Sequence, residues 1–115
     1  MRFVCNKDNL ESAISIVQKA VKTNSTLPIL DGIHIQAEGQ SVKLTGYDLE
    51  TGIEADVASD VSDNGAVVVN SRIFGEIIKN LPENTVEIKS DDRNFISIVS
   101  GSASYNIKGN NANEY

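Results

Sequence analysis

Cysteine occurs once in the 115 residues, at Cys5, so no internal disulfide can form, which fits a reducing cytoplasm. Histidine also occurs once, at His34, and no serine or cysteine motif accompanies it, so it reads as a structural ring rather than a catalytic one. No run approaches the roughly 18 consecutive apolar residues of a membrane span. The opening Met1-Arg2-Phe3-Val4-Cys5 enters a strand pattern without the apolar block of a secretion signal. Without such a signal, the glycosylation sequon Asn24-Ser25-Thr26 reads as coincidence. A glycine-rich phosphate loop is missing. So is basic excess: 10 Lys and Arg against 16 Asp and Glu give a net charge of −6. Whole-molecule attraction to nucleic acid is thereby excluded, and any grip on phosphates must come from a local basic face.

What remains is an ordinary globular composition, 40% hydrophobic and 23% charged, at a length that holds one core. Two segments carry a helical period. In the first, Leu10, Ala13, Ile14, Val17 and Val21 recur at three- and four-residue steps, with Asp8 as the expected cap and Glu11 in the first turn. Pro28 lies beyond it, so this helix is expected to end near Lys22. The second places Ile73, Phe74, Ile77, Ile78 and Leu81 on one side, capped by Asn70 or Ser71 and stopped by Pro82. The remaining segments alternate with a period of two. Residues 2–5, 29–36, 41–46, 51–58, 66–69, 84–89, 93–99 and 102–108 read as strands, separated by turn residues such as Glu38-Gly39 and Asp63-Asn64-Gly65. Residues 109–115 are polar and read as the unstructured start of a linker.

The order is strand, helix, three strands, then the same again. A shift of 64 residues carries Asn6 onto Asn70, Leu10 onto Phe74, Ile14 onto Ile78 and Val17 onto Leu81. The agreement of strand count on either side gives that match its force. Two short helices cannot cover both faces of so many strands. The expected fold is α+β: a duplicated strand-helix-three-strand unit with both helices packed on one face of curved antiparallel sheets.

Helical projection puts Arg72 and Lys79 opposite the apolar arc of the second helix, and Lys19 and Lys22 opposite that of the first. Acids fall largely in strands, loops and turns. Lysines on an exposed helix face are usually plain solvated charge. The functional alternative is a sparse cationic strip whose contact with phosphates would be weak and salt-dependent. Neither helix carries the side chains that read base edges, so sequence specificity is not expected.

Other chemistry finds little support in the sequence. Asp60-Val61-Ser62-Asp63-Asn64-Gly65 loosely imitates the start of a calcium loop, but the expected closing glutamate is Ser71. Asp48 and Glu50 could share a strand face as a carboxylate pair, though no apolar pocket is evident to raise either one. Cys5 reads as buried packing. Against the strip stand two competitors: a small protein-interaction adaptor with no DNA role, and a hydrolase built on Asp48 or Glu50.

Thr26-Leu27-Pro28-Ile29-Leu30, Thr45-Gly46-Tyr47-Asp48-Leu49-Glu50, and the stretch from Ser71-Arg72-Ile73-Phe74 to Leu81-Pro82-Glu83 decide among these. In order and spacing they resemble the first domain of the bacterial sliding clamp family, the beta subunit of the replicative DNA polymerase. The resemblance implies a DNA-clamp fold, with residues 1–108 as domain one and 109–115 as the start of a linker to a second domain. It implies a non-catalytic processivity factor of the cytoplasm that uses no metal or cofactor. Its partners would be duplex DNA held without sequence specificity and a second copy in a head-to-tail dimeric ring. The replicative polymerase and the clamp loader would bind through later domains. Arg72 matches a basic channel residue of the family. Where relatives often carry an arginine in the loop before Thr26, this chain has Asn24, with Lys22 close by. The expected DNA-facing set is therefore Lys19, Lys22, Asn24, Arg72 and Lys79. Ile73, Ile77, Tyr105 and Ile107 match a subunit interface, Ile73 standing where some relatives carry a charge; Ile77 and Ile107 read equally well as core.

Overall fold

A computed structural model of the chain describes residues 1–21 and 28–115. The first half comprises β1 (Arg2–Asn6), α1 (Lys7–Val17), β2 (Gly32–Glu38), β3 (Ser41–Tyr47) and β4 (Gly52–Asp63). The second comprises β5 (Gly65–Asn70), α2 (Ser71–Lys79), β6 (Thr85–Ser90), β7 (Phe95–Ser100) and β8 (Ala103–Lys108). The expected duplication is therefore present element for element.

Each helix begins in the same way. Asn6 and Asn70 both leave their strands in extended backbone, and each side-chain oxygen accepts from the amide three residues on, Asn9 N and Ile73 N, both at 3.0 Å. These caps fall 64 residues apart in donor and acceptor alike. Asp8, the expected cap of α1, lies in the first turn instead, because Asn6 is the residue that turns the strand into the helix. The α-helix also stops earlier than expected: Gln18–Ala20 tightens into a 3-10 turn and Val21 is already extended. Lys22 lies outside the described residues.

All strand pairings are antiparallel, and the eight strands run β5-β2-β3-β4-β1-β6-β7-β8. Two four-stranded sheets meet at β4, which is longer than the expected 51–58. Its residues 52–58 pair with β3 and its residues 59–63 pair with β1, across a register shift at Arg2 and Phe3. Far from that seam the edges also touch, since Val68 of β5 and Asn110, just past β8, exchange both backbone hydrogen bonds at 3.0 and 2.8 Å. Segment 29–36 opens as a 3-10 turn, Pro28–Asp31, before β2. The fixed φ of proline suits the first position of such a turn better than a sheet ladder.

Both helices lie on one face. Leu10, Ala13, Ile14 and Val17 of α1 join Phe74 and Ile78 of α2 and the inward residues of both sheets in a single core. Phe3, Phe74, Leu10 and Ile33 are wholly inaccessible, each contributing about 2 kcal/mol through lost apolar exposure. The helices run antiparallel, as two hydrogen bonds at opposite ends show. Lys7 Nζ donates to the carbonyl of Leu81 at 2.9 Å, and Gln18 Nε2 to that of Ser71 at 3.1 Å. Gly75 permits the close approach, because a Cβ there would stand 2.9 Å from Gln18 Nε2.

The tail departs from expectation. Asn111 caps a 3-10 turn at Ala112–Glu114 through Asn113 N, and Tyr115 docks on the outer face of β2 and β3. Polar composition hid this order, because one tyrosine and one capping asparagine supply it.

Candidate nucleic-acid interface

The solvent side of the helix pair is a polar groove of about 610 Å³ whose walls include Glu11, Ser15, Gln18, Arg72, Glu76 and Lys79. Helical spacing produces it: residues 11, 15 and 18 form one stripe beside the apolar arc of α1, and residues 72, 76 and 79 form its counterpart on α2. Ser71 carbonyl and Gln18 hold the floor where the helices approach.

Arg72 and Lys79 are exposed and share this groove, while exposed Lys19 sits on the 3-10 turn after α1 and does not line it. Among the described residues, none of the three has a carboxylate within ion-pair distance. The ion pairs among the described residues, Arg2–Glu87 at 3.1 Å and Lys43–Glu54 at 3.8 Å, lie on the sheets. Helix cations are thus uncommitted, with Lys7 the exception because it caps the last carbonyls behind α2. Lys22 and Asn24 fall outside the described residues.

The strip is more mixed than helical projection indicated. Glu11 and Glu76 stand in the groove beside the cations, and Asp31 lines it too, with Oδ1 buried and without a hydrogen-bond partner. Glu11, expected in the first turn of α1, lies one turn further in and faces the groove. Its i+4 and i+7 relation to Ser15 and Gln18 was the available signal for the groove. On the opposite side of the molecule, β4 alternates strictly: Ile53, Ala55, Val57 and Val61 face inward while Glu54, Asp56 and Asp60 are exposed. Unpaired cations also stand on the sheet side, at Lys89 of β6 and Arg93 of the following turn, so what sets the helix side apart is that Arg72 and Lys79 converge on one groove.

The expected interface residues divide between β8 and α2. β8 pairs with β7 alone, and Tyr105 and Ile107 project to its helix side, opposite Ile98 and Ile96. Tyr105 is 37% exposed, whereas Ile107 is half-buried against the core. On α2, Ile73 is 40% exposed and Ile77 half-buried. Ile77 and Ile107 thus serve the core in part and leave part of their surface free.

The remaining candidates resolve into structure. Asp48 and Glu50 do not share a strand face, as they lie in the loop between β3 and β4. There Asp48 Oδ1 accepts from Glu50 N and Thr51 N at 3.0 and 2.7 Å, using its acceptor capacity to shape the turn. Asp60 and Asp63 belong to β4, so the calcium-like segment is extended strand rather than a loop, and no metal-holding group of acids, His and Cys exists among the described residues. Burial pushes the Cys5 thiol up to about 12, which keeps it from reacting as a thiolate. His34 is half-buried on the outer face of β2 with its ring 5.6 Å from that of Tyr115, and burial lowers its pKa. No helix among the described residues is long and apolar enough to cross a membrane.

The family model for the N-terminal domain of the DNA polymerase III beta subunit matches residues 1–115. The chain belongs to that family. The beta sliding clamp of Bacillus subtilis is 37% identical across the whole chain, which covers 32% of that protein. Among solved structures, the DNA polymerase sliding clamp from Bacillus subtilis superposes with a TM-score of 0.96 at 36% identity. The beta subunit from Streptococcus pyogenes DNA polymerase does so at 0.96 and 25%. Each covers the entire chain, which in turn covers 32% of each. The chain thus spans about a third of the length of the relatives it matches. The two-helix, eight-strand arrangement is that of the beta subunit family's N-terminal domain.

Proposed function

We propose that this chain is the first domain of a sliding clamp: a non-catalytic segment of a ring that encloses duplex DNA without reading its sequence. Residues 1–108 form the domain, and 109–115 form the packed start of a connection to a second one. The observation that carries the reading is the convergence of two unpaired cations, Arg72 and Lys79, on the groove between the helices. Arg72, Lys79 and Lys19 stand unpaired on the helix side, while Glu54, Asp56 and Asp60 line the outer sheet face. A polyanion passing the helices would meet cations not held in ion pairs, and one outside would meet the acids of β4.

The position of Arg72 adds to this. It is the second residue of α2, where the helix dipole is positive and disfavours a cation by roughly 0.5 kcal/mol. An anion arriving there gains from both the guanidinium and the dipole. Lys22 and Asn24, outside the described residues, join the proposed DNA-facing set through helical projection and the family resemblance alone. The acids Glu11 and Glu76 keep the attraction shallow, as a sliding contact requires, since tight phosphate contacts would arrest motion.

Two such subunits would close head to tail in the cytoplasm, with Ile73, Ile77, Tyr105 and Ile107 and the open edge of β8 at the junction. The ring would tether the replicative polymerase, and be opened by its loader, through domains beyond this chain. The decisive experiment reverses charge in the full-length parent: Arg72→Glu with Lys79→Glu. Retention on circular duplex DNA at moderate salt should fall about tenfold or more. Unchanged retention would refute the channel assignment and favour the adaptor reading.

A further inference from the structure

The β3–β4 tip presents an apolar residue that nothing within the described chain covers. Leu49 is 59% exposed and has φ +78°, a left-handed conformation that a branched side chain adopts only under constraint. Two neighbours impose it. Asp48 Oδ1 takes the amides of Glu50 and Thr51, and Tyr47 Oη donates to the Leu49 carbonyl at 3.3 Å. The fold therefore holds a strained turn whose result is to hold leucine outward, which is costly unless the leucine is used.

The path of the tail indicates by what. Asn110 lies on the edge of β5, and Tyr115 has crossed β2 to β3, its hydroxyl donating to the Gly32 and Thr45 carbonyls at 3.3 and 3.2 Å. The Tyr115 ring ends 6.5 Å from that of Tyr47. The tail thus traverses the outer face in the order β5, β2, β3 and ends beside Tyr47, two residues before Leu49 in the same β3–β4 turn. The relatives are about three times longer than this chain, which covers 32% of them.

We infer that, in the full-length protein, the segment following Tyr115 lies over the Tyr47–Leu49 tip and buries Leu49, making the tip the anchor that fixes the connection between the first and second domains. The inference rests on the reading of this chain as a first domain. Leu49→Gly in the full-length parent tests it, because glycine removes the apolar knob while relieving the backbone strain, so folding is not threatened. Hydrogen exchange should accelerate at least tenfold in the residues following Tyr115, and strand β3, at Val42 and Leu44, should keep its protection. Unchanged exchange after Tyr115 overturns the inference, and so does protection of the tip that appears only with rising protein concentration or on adding a polymerase peptide. A parent whose reading frame closes at Tyr115 would sink the domain reading itself, which keeps the two failures apart.

Discussion

The two halves of the chain share element order and capping residue, and they differ instructively in the third strand of each. In β3 the third inward residue is Gly46, and in β7 it is Ser100. A Cβ at Gly46 would stand 2.3 Å from the Val17 carbonyl oxygen, so the last turn of α1 lies directly on β3 backbone. Ser100 instead reaches the loop behind α2, accepting from Glu83 N at 3.2 Å and donating to Glu83 O at 3.0 Å. The first half seats a longer helix by removing a side chain, and the second stops a shorter helix by adding a hydroxyl. One duplicated frame therefore tolerates two ways of positioning a helix, provided the helices end up antiparallel with their polar sides together.

Gly46→Ala should break the first arrangement. Backbone cannot yield as a flexible side chain can, so a loss of about 3 kcal/mol is expected from the denaturation midpoint of this chain. Ser100→Ala should cost less, about 1–2 kcal/mol, by stripping Glu83 N and O of their buried partner. If the two substitutions cost the same, helix seating does not differ between the halves. The caps sharpen the likeness instead: Asn6→Ala and Asn70→Ala should each cost about 1 kcal/mol, and a gap well beyond that would argue against equivalent caps.

The smallest effect concerns pH. Burial lowers the pKa of His34 from its ordinary 6.5, so the folded state binds fewer protons than the unfolded one. Its contribution is fully present above about pH 6.5 and declines as pH falls through that value toward the lower folded pKa. Between pH 7 and 5.5 the midpoint should drift downward, and His34→Gln should flatten the drift. An unaltered slope in that variant would assign the drift to other groups.

Much of this was legible in residue spacing. The periods at Leu10–Val17 and at Ile73–Leu81 announce both helices, and alternation marks most strands, though β5 is a continuous apolar run buried at Val67, Val68 and Val69. Local chemistry was read less well where tertiary context chooses between neighbours. Asn6 rather than Asp8 caps α1 because the strand ends there. β4 runs on to Asp63 because a second strand, β1, lies alongside to pair with it. Tyr115 orders a tail that composition marks as loose, through two carbonyls on strands 70 and 83 residues away. The candidate site was half visible: Arg72 and Lys79 do share a groove, but Glu11 and Glu76 enter it from positions whose significance depends on where the partner helix lies.

The proposed DNA-facing side can be tested directly by placing a photo-crosslinker at Lys79 on the helix side or at Asp56 on the sheet side of the full-length parent, incubated with a clamp loader and circular DNA. The account predicts crosslinks to DNA from position 79 and none above background from position 56. Efficient crosslinking from position 56, with position 79 silent, would contradict it.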